Sequence, residues 1–255
     1  MPTLDCLPLF VAKDRGMFDT LGVDVRLRNY NAQMDCDTAV ANGRVQGSVT
    51  DLVRAERLIA NGTPLRFISS TKAYWLMIGN SKQRVNKIAD LGDKMVAITR
   101  YSATNMLADR FINQTKTQGT VFRIQINDVL IRLKMLVNNE IDAVLLTEPQ
   151  ASEAVRMGNK VLADSRKDDL QLGVIAFRKK DIAGDYRSRQ LQLFIRGYNM
   201  ACDSINKYGV SHYSNIIEKH LVISQKTIMM IPHTVFNHAE SPRQKDIDAA
   251  KKWLR

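Results

Sequence analysis

Residues 3–27, TLDCLPLFVAKDRGMFDTLGVDVRL, decide how the rest of the chain is read. Thr3 to Asp5 and Cys6 reads as a short strand running into a tight Leu7-Pro8. Pro8 suits the first turn of a helix, where its missing N–H would lack a partner in any case. Leu9, Phe10, Ala12, Met17, Phe18 and Leu21 then make a helical face. Gly16 weakens that helix midway, and Gly22 is placed to end it in a left-handed cap. Val23, Val25 and Leu27 alternate with Asp24, Arg26 and Arg28, the period of a strand with one drier face. Strand, helix, glycine and strand predict a βαβ unit. Its loop sets Cys6, Leu7 and the Pro8–Phe10 helix start at the carboxyl end of the first strand, where open parallel sheets bind ligands.

The alternation continues downstream. A helix around Asp35–Ala41, a strand at Gln46–Val49, a helix from Thr50-Asp51 and a strand from Pro64 to Thr71 predict a parallel sheet. LRFISS and WLMIGN then run almost continuously through Tyr74-Trp75, as a crossing between two lobes would. A second series follows, with strands at MVAIT (95–99), VFRIQI (121–126), DAVLLT (142–147), KVLAD (160–164) and LGVIAF (172–177). The tail is helical: Leu191, Phe194, Ile195, Tyr198, Ala201, Cys202 and Ile205 form a core-facing stripe. The expected division is 1–73 plus 179–255 against 74–178, with crossings near 72–78 and 174–180.

At 255 residues the chain is long enough for two lobes with substantial cores. A 45% hydrophobic content and 25% charged residues are those of a soluble globular protein, and the longest apolar runs fall far short of a membrane span. Cys6, Cys36 and Cys202 have neither metal-binding nor redox spacing. The net charge of +11 is spread over the chain and interleaved with acids, which disfavours nucleic acid and favours a solvated basic surface. A docking face for a membrane transporter stays open. No export signal is visible, yet the first strand reads as though residues before Met1 had been trimmed. An exported protein without its signal is therefore preferred to a cytoplasmic one.

PLFVAKDRGMFDTLGVDVRL (8–27), ADLGDKMVAI (89–98) with YSATNML (101–107), LVNNEIDAVLLTEP (136–149), LGVIAF (172–177) and DIDAAKKWL (246–254) occur in order over nearly the whole chain. Together they resemble substrate-binding proteins of ABC importers, in the branch for sulfonates, nitrate, taurine and thiamine-precursor pyrimidines. The resemblance implies an α/β, two-lobed type II periplasmic-binding-protein fold, each lobe a mostly parallel sheet flanked by helices. It also implies capture of a small molecule by hinge closure, with an ABC permease and its ATPase as partners. The protein would be a monomer in the periplasm or cell envelope, touching the membrane only through the transporter or an N-terminal anchor. No cofactor, metal or nucleic acid is implied. The loop Cys6-Leu7-Pro8-Leu9 departs from thiamine-precursor relatives, which carry an aromatic and a polar residue there.

A two-lobed cleft is lined by helix N-termini, which offer free N–H groups and partial positive charge. Ser102-Ala103-Thr104, with Arg100 beside it, is the best cradle for an anion, and Ser102 is also a plausible helix cap. Thr50 and Asp51 are candidates for a ligand amine or ring nitrogen, Asp51 serving equally as an N-cap. Asn127 precedes another helix start. Tyr30, Asn31, Tyr74, Trp75 and Tyr101 lie at strand ends or the crossing and offer stacking or amide contacts. They place a planar heterocycle slightly ahead of a sulfonate or small anion. Glu148 could pair with a cationic group or sit as a first-turn acid. Catalytic readings fare poorly: His212, His220, His233 and His238 all lie in the C-terminal fifth, and no HExxH, GxSxG or phosphate-loop pattern occurs. The runner-up is a pyridoxal-phosphate-linked pyrimidine synthase on the same fold, whose cysteine-rich motif is missing here. A regulator's effector domain would need a helix-turn-helix, and none is evident.

Overall fold

The computed structural model describes residues 2–255, in which two open sheets carry helices on their faces. The strands are β1 (Gly47–Asp51), β2 (Leu65–Ser70), β3 (Leu76–Gly79), β4 (Met95–Ile98), β5 (Phe122–Gln125), β6 (Ala143–Leu146), β7 (Lys160–Asp164) and β8 (Gly173–Arg178). The first sheet has the order β1-β8-β2 and the second β5-β4-β6-β3-β7. The helices are α1 (Leu7–Asp14), α2 (Met17–Thr20), α3 (Gln33–Ala41), α4 (Leu52–Ala60), α5 (Ala103–Asn113), α6 (Val129–Val137), α7 (Gln150–Arg156), α8 (Asp185–Tyr208), α9 (Ser214–Leu221), α10 (Gln225–Ile228) and α11 (Gln244–Leu254). None of them is long and apolar enough to cross a membrane.

The sheets are more mixed than the β/α alternation suggests. β4 runs parallel to β5 and β6, but β3 is antiparallel to β6 and β7. In the first sheet β8 lies antiparallel between β1 and β2. β1, α4 and β2 follow one another as a βαβ unit, and the strand between them arrives from 100 residues downstream, so no short crossover dictates its direction. Val174, Ile175 and Ala176 are buried, as the continuous apolar run of a two-sided central strand requires. Residues 173–178, the last of the 74–178 division expected from the sequence, thus pair in the first sheet.

The opening stretch departs from its predicted βαβ unit. Leu4–Cys6 is a 3-10 turn, its Cys6 N–H donating to the Thr3 carbonyl at 2.9 Å, and it winds directly into α1. Gly16 (φ +68°) separates α1 from α2, and Gly22 (φ +74°) ends α2 as expected. Val23 is buried while Asp24, Arg26 and Arg28 are exposed, so the alternation is real. Yet residues 23–29 pair with no strand among the described residues.

α11 packs on α4, and between the lobes its Trp253 indole N–H donates to Asp109 of α5 at 3.2 Å. The Leu4 N–H donates to the Glu148 carbonyl at 2.8 Å, and Ala32 bridges Asp128 across the cleft mouth. Asn80, fully buried at the end of β3, fixes α6 in place. Its amide donates to the Leu136 and Ile141 carbonyls at 3.1 and 3.2 Å, and its oxygen accepts from the Lys82 and Gln83 N–H groups. Asn80→Ala leaves two buried carbonyls without these donors, and each such loss costs about 1–3 kcal/mol. Urea denaturation should give a loss of roughly 2–4 kcal/mol. A loss under about 0.5 kcal/mol, the usual size for a surface change, would contradict this role.

Candidate functional site

A cavity of about 30 Å³ lies between the lobes, walled by Thr50, Trp75, Thr104 and Arg132 with Asp5 and Thr147. β1 delivers Thr50, the β2–β3 crossing delivers Trp75, and α5 and α6 deliver Thr104 and Arg132. Room of this size holds one or two water-sized groups.

Arg132 dominates the electrostatics. It lies on the same helical face as Val129, Leu133 and Leu136, and only 3% of it is exposed. One terminal nitrogen donates to the Leu145 carbonyl at 2.7 Å, while Nε has no hydrogen-bond partner among the described residues. No carboxylate comes within ion-pair distance of it among those residues. Burial pushes the guanidinium down to about 10, with Asp128 pulling the other way, so it remains cationic at neutral pH. The buried hydroxyl of Thr50 likewise lacks a partner. A desolvated cation and an unanswered hydroxyl on one small cavity favour a ligand that brings acceptors and negative charge.

The carboxyl groups nearby are not counter-ions to Arg132. Asp5 accepts from the hydroxyls of Thr3 and Thr71, and burial raises its pKa. Asp51 accepts the N–H of Arg54 and, across the cleft, the N–H of Ala103, each at 3.0 Å. Burial raises Asp51 to about 6, against the opposing pull of Arg54.

This arrangement alters the expected anion cradle. The Thr104 N–H donates to the Ser102 hydroxyl at 3.1 Å and the Ala103 N–H to Asp51, so the α5 N-terminus is already answered. Arg100 is exposed, and Tyr101 is half-exposed beneath the Arg57 guanidinium at 4.5 Å. Of the expected contacts, Thr50, Trp75 and Thr104 reach the cavity wall. Leu7 is core. Cys6, Leu9 and Tyr30 line a different, larger cavity under residues 23–30, where burial raises the Cys6 thiol. Asn31 is exposed, and Asn127 donates to the Met34 sulfur at 2.9 Å on the rim. Glu148 accepts from the Tyr74 hydroxyl at 2.7 Å and the Ser152 N–H at 3.1 Å, a packing role that also explains Tyr74. Sequence reasoning missed Asp5, Thr147 and above all Arg132. The signal for Arg132 was a cation set within the stripe Val129–Leu133–Leu136.

Residues 3–238 match the family described as NMT1/THI5 like. No curated protein gives a significant match. Among solved structures, the alkanesulfonate-binding protein SsuA from Xanthomonas axonopodis pv. citri, bound to MOPS, superposes with a TM-score of 0.82 at 14% identity, covering 96% of this chain and 86% of that one. The ligand-binding component of an ABC-type import system from Staphylococcus aureus, with zinc bound, gives 0.79 at 16% identity over 98% and 88%. The periplasmic nitrate-binding protein NrtA from Synechocystis PCC 6803 gives 0.73 at 13% identity over 95% and 71%. At these identities the likeness establishes the fold: a two-lobed α/β architecture shared with periplasmic binding proteins.

Asp51 makes a pH prediction. Its folded pKa of about 6 lies above the ordinary 3.8, so the native state holds the proton more tightly and its stability falls as pH rises from about 4 past 6. The gap corresponds to roughly 3 kcal/mol. Asp51→Asn keeps an acceptor for the Arg54 and Ala103 N–H groups without the charge. Its stability curve should leave the parent's upward from about pH 4 and reach its full separation once the pH has passed about 6. Parallel curves in denaturant titrations would contradict the assignment.

Proposed function

The chain belongs to the NMT1/THI5-like family, and from that membership and its cleft we propose that it is the solute-binding component of an ABC importer, taking up a small anion. The observation that carries this reading is the buried guanidinium of Arg132, without a counter-ion beside the unpartnered Thr50 hydroxyl. An unpaired buried charge costs several kcal/mol, and an anionic ligand offsets that cost only when the lobes are closed on it. Ligand binding and closure are thereby coupled.

In this reading residues 2–73 with 173–255 form one lobe and 74–172 the other, hinged at the two crossings. Arg132 and Thr50 hold the anion from opposite lobes, Thr104 lies beside them, and Trp75 covers any apolar body. The cavity of about 30 Å³ suits a few-atom oxyanion such as nitrate. A sulfonate with a longer tail requires a wider closed state. Partners would be a permease and its ATPase, and the site of action the periplasm or cell envelope. The neighbours' printed roles in alkanesulfonate and nitrate binding are consistent with this choice, and Arg132 moves the anion ahead of the heterocycle. An enzymatic role is disfavoured because none of the four histidines lines the cavity.

Thermal unfolding against nitrate, bicarbonate, taurine, alkanesulfonates, thiamine and its hydroxymethylpyrimidine tests the reading. A true ligand at a hundred times its dissociation constant adds roughly 2.7 kcal/mol. That raises the Tm of a chain this size by roughly 5–10 °C. The expected responder is one of the anions, with the rise abolished in Arg132→Met, a variant that itself folds at least as stably as the parent. A rise with a pyrimidine that survives Arg132→Met would replace the anion. A pyridoxal absorbance band on the purified protein would point to the enzyme.

A further inference from the structure

The cavity that holds Arg132 also holds an acid. Asp5 is the one carboxyl on its wall among the described residues, and only 9% of it is exposed. We propose, on the anion reading above, that Asp5 takes up a proton together with the bound anion and thereby sets the pH range in which the site fills.

Arg132 comes from α6 and Asp5 from the turn before α1, and no ion pair joins them among the described residues. An anion seated in a space of about 30 Å³ meets both. The guanidinium attracts it and an ionised Asp5 repels it. Two negative charges sharing one desolvated site raise the pKa of the weaker acid, which then takes a proton. Nitrate and sulfonates stay ionised at any pH the protein tolerates, so that proton goes from solvent to an Asp5 oxygen. The filled site then holds one anion against one cation.

Asp5 is placed to serve in both forms. As a carboxylate it accepts from the Thr3 hydroxyl and, at 3.0 Å, from the Thr71 hydroxyl. As an acid it keeps an acceptor oxygen and gains an O–H donor for the anion. Burial already raises its pKa, against the pull of those two hydroxyls.

The other charged and titratable groups around Asp5 do not take its place. Burial pushes up the Cys6 thiol beside it and the Tyr198 hydroxyl of α8, and the Asp5 charge adds to both shifts, so both stay neutral. Lys72, Tyr74 and Glu148 meet Asp5 at a separate small void, where the Tyr74 hydroxyl donates to Glu148. None of these three lines the Arg132 cavity. Asp51 titrates near 6, but it turns to the Arg54 and Ala103 N–H groups and is off that wall.

Calorimetric titration of the full chain with nitrate and with methanesulfonate, from about pH 6 to 9, reads the linkage. Tris and Bis-Tris carry no sulfonate and differ in ionisation heat, so comparing them where both buffer counts the protons taken up. The expected affinity falls as pH rises, by up to about ten-fold per pH unit, with net proton uptake on binding. Asp5→Asn should bind with a flat profile and no uptake. Thr71→Val removes a hydroxyl that favours the ionised form, and should move the fall to higher pH while binding persists. Asp51→Asn should leave the fall in place. Affinity independent of pH in the unaltered chain, or a fall that survives Asp5→Asn or vanishes in Asp51→Asn, would overturn the proposal and leave the anion reading standing. Binding of neither anion at any pH would overturn both.

Discussion

The carboxylate of Asp51 joins the two lobes. It ends β1, caps α4 through the Arg54 N–H, and reaches across to the Ala103 N–H at the start of α5. One side chain thus terminates a strand, starts a helix and orients a helix of the other lobe. Two N–H groups and the nearby Arg54 charge oppose the burial that pushes its pKa up to about 6. Thr50 and Thr104 on the cavity wall follow from this contact, because Thr50 precedes Asp51 and Thr104 follows Ala103.

What Asp51 occupies, a ligand cannot. The α5 N-terminus, with its small residues and capping serine, has the makings of an anion site, yet its N–H groups are answered from within the protein. The positive charge that faces the cavity comes from a side chain, Arg132. It is held by its bond to the Leu145 carbonyl and by Asn80, which fixes the end of α6. A buried guanidinium without a carboxylate is costly, and a binding protein whose ligand supplies the missing charge has a use for that cost.

Much of the fold is legible in the sequence. The apolar run at 173–177 identifies β8, and the stripe from Leu191 to Ile205 identifies α8, since periodicity reports burial directly. Alternation at Val23–Leu27 likewise reports an extended segment with one buried face. It says nothing about a pairing neighbour, and there the predicted βαβ unit fails. Strand direction in the first sheet was equally hidden, because β8 pairs with elements about a hundred residues away. Among the expected site residues, Thr50, Trp75 and Thr104, at element ends, lie on the cavity wall. Arg132 sits in mid-helix among Val129, Leu133 and Leu136, where the eye reads a core stripe and passes over the charge.

Calorimetric titration of methanesulfonate against its neutral near-isostere dimethyl sulfone probes the central claim most directly, since the two differ chiefly in the charge that Arg132 is positioned to meet. The account predicts saturable heat from methanesulfonate alone, lost in Arg132→Met. Equal binding of the two compounds, or methanesulfonate binding that persists without the guanidinium, would contradict it.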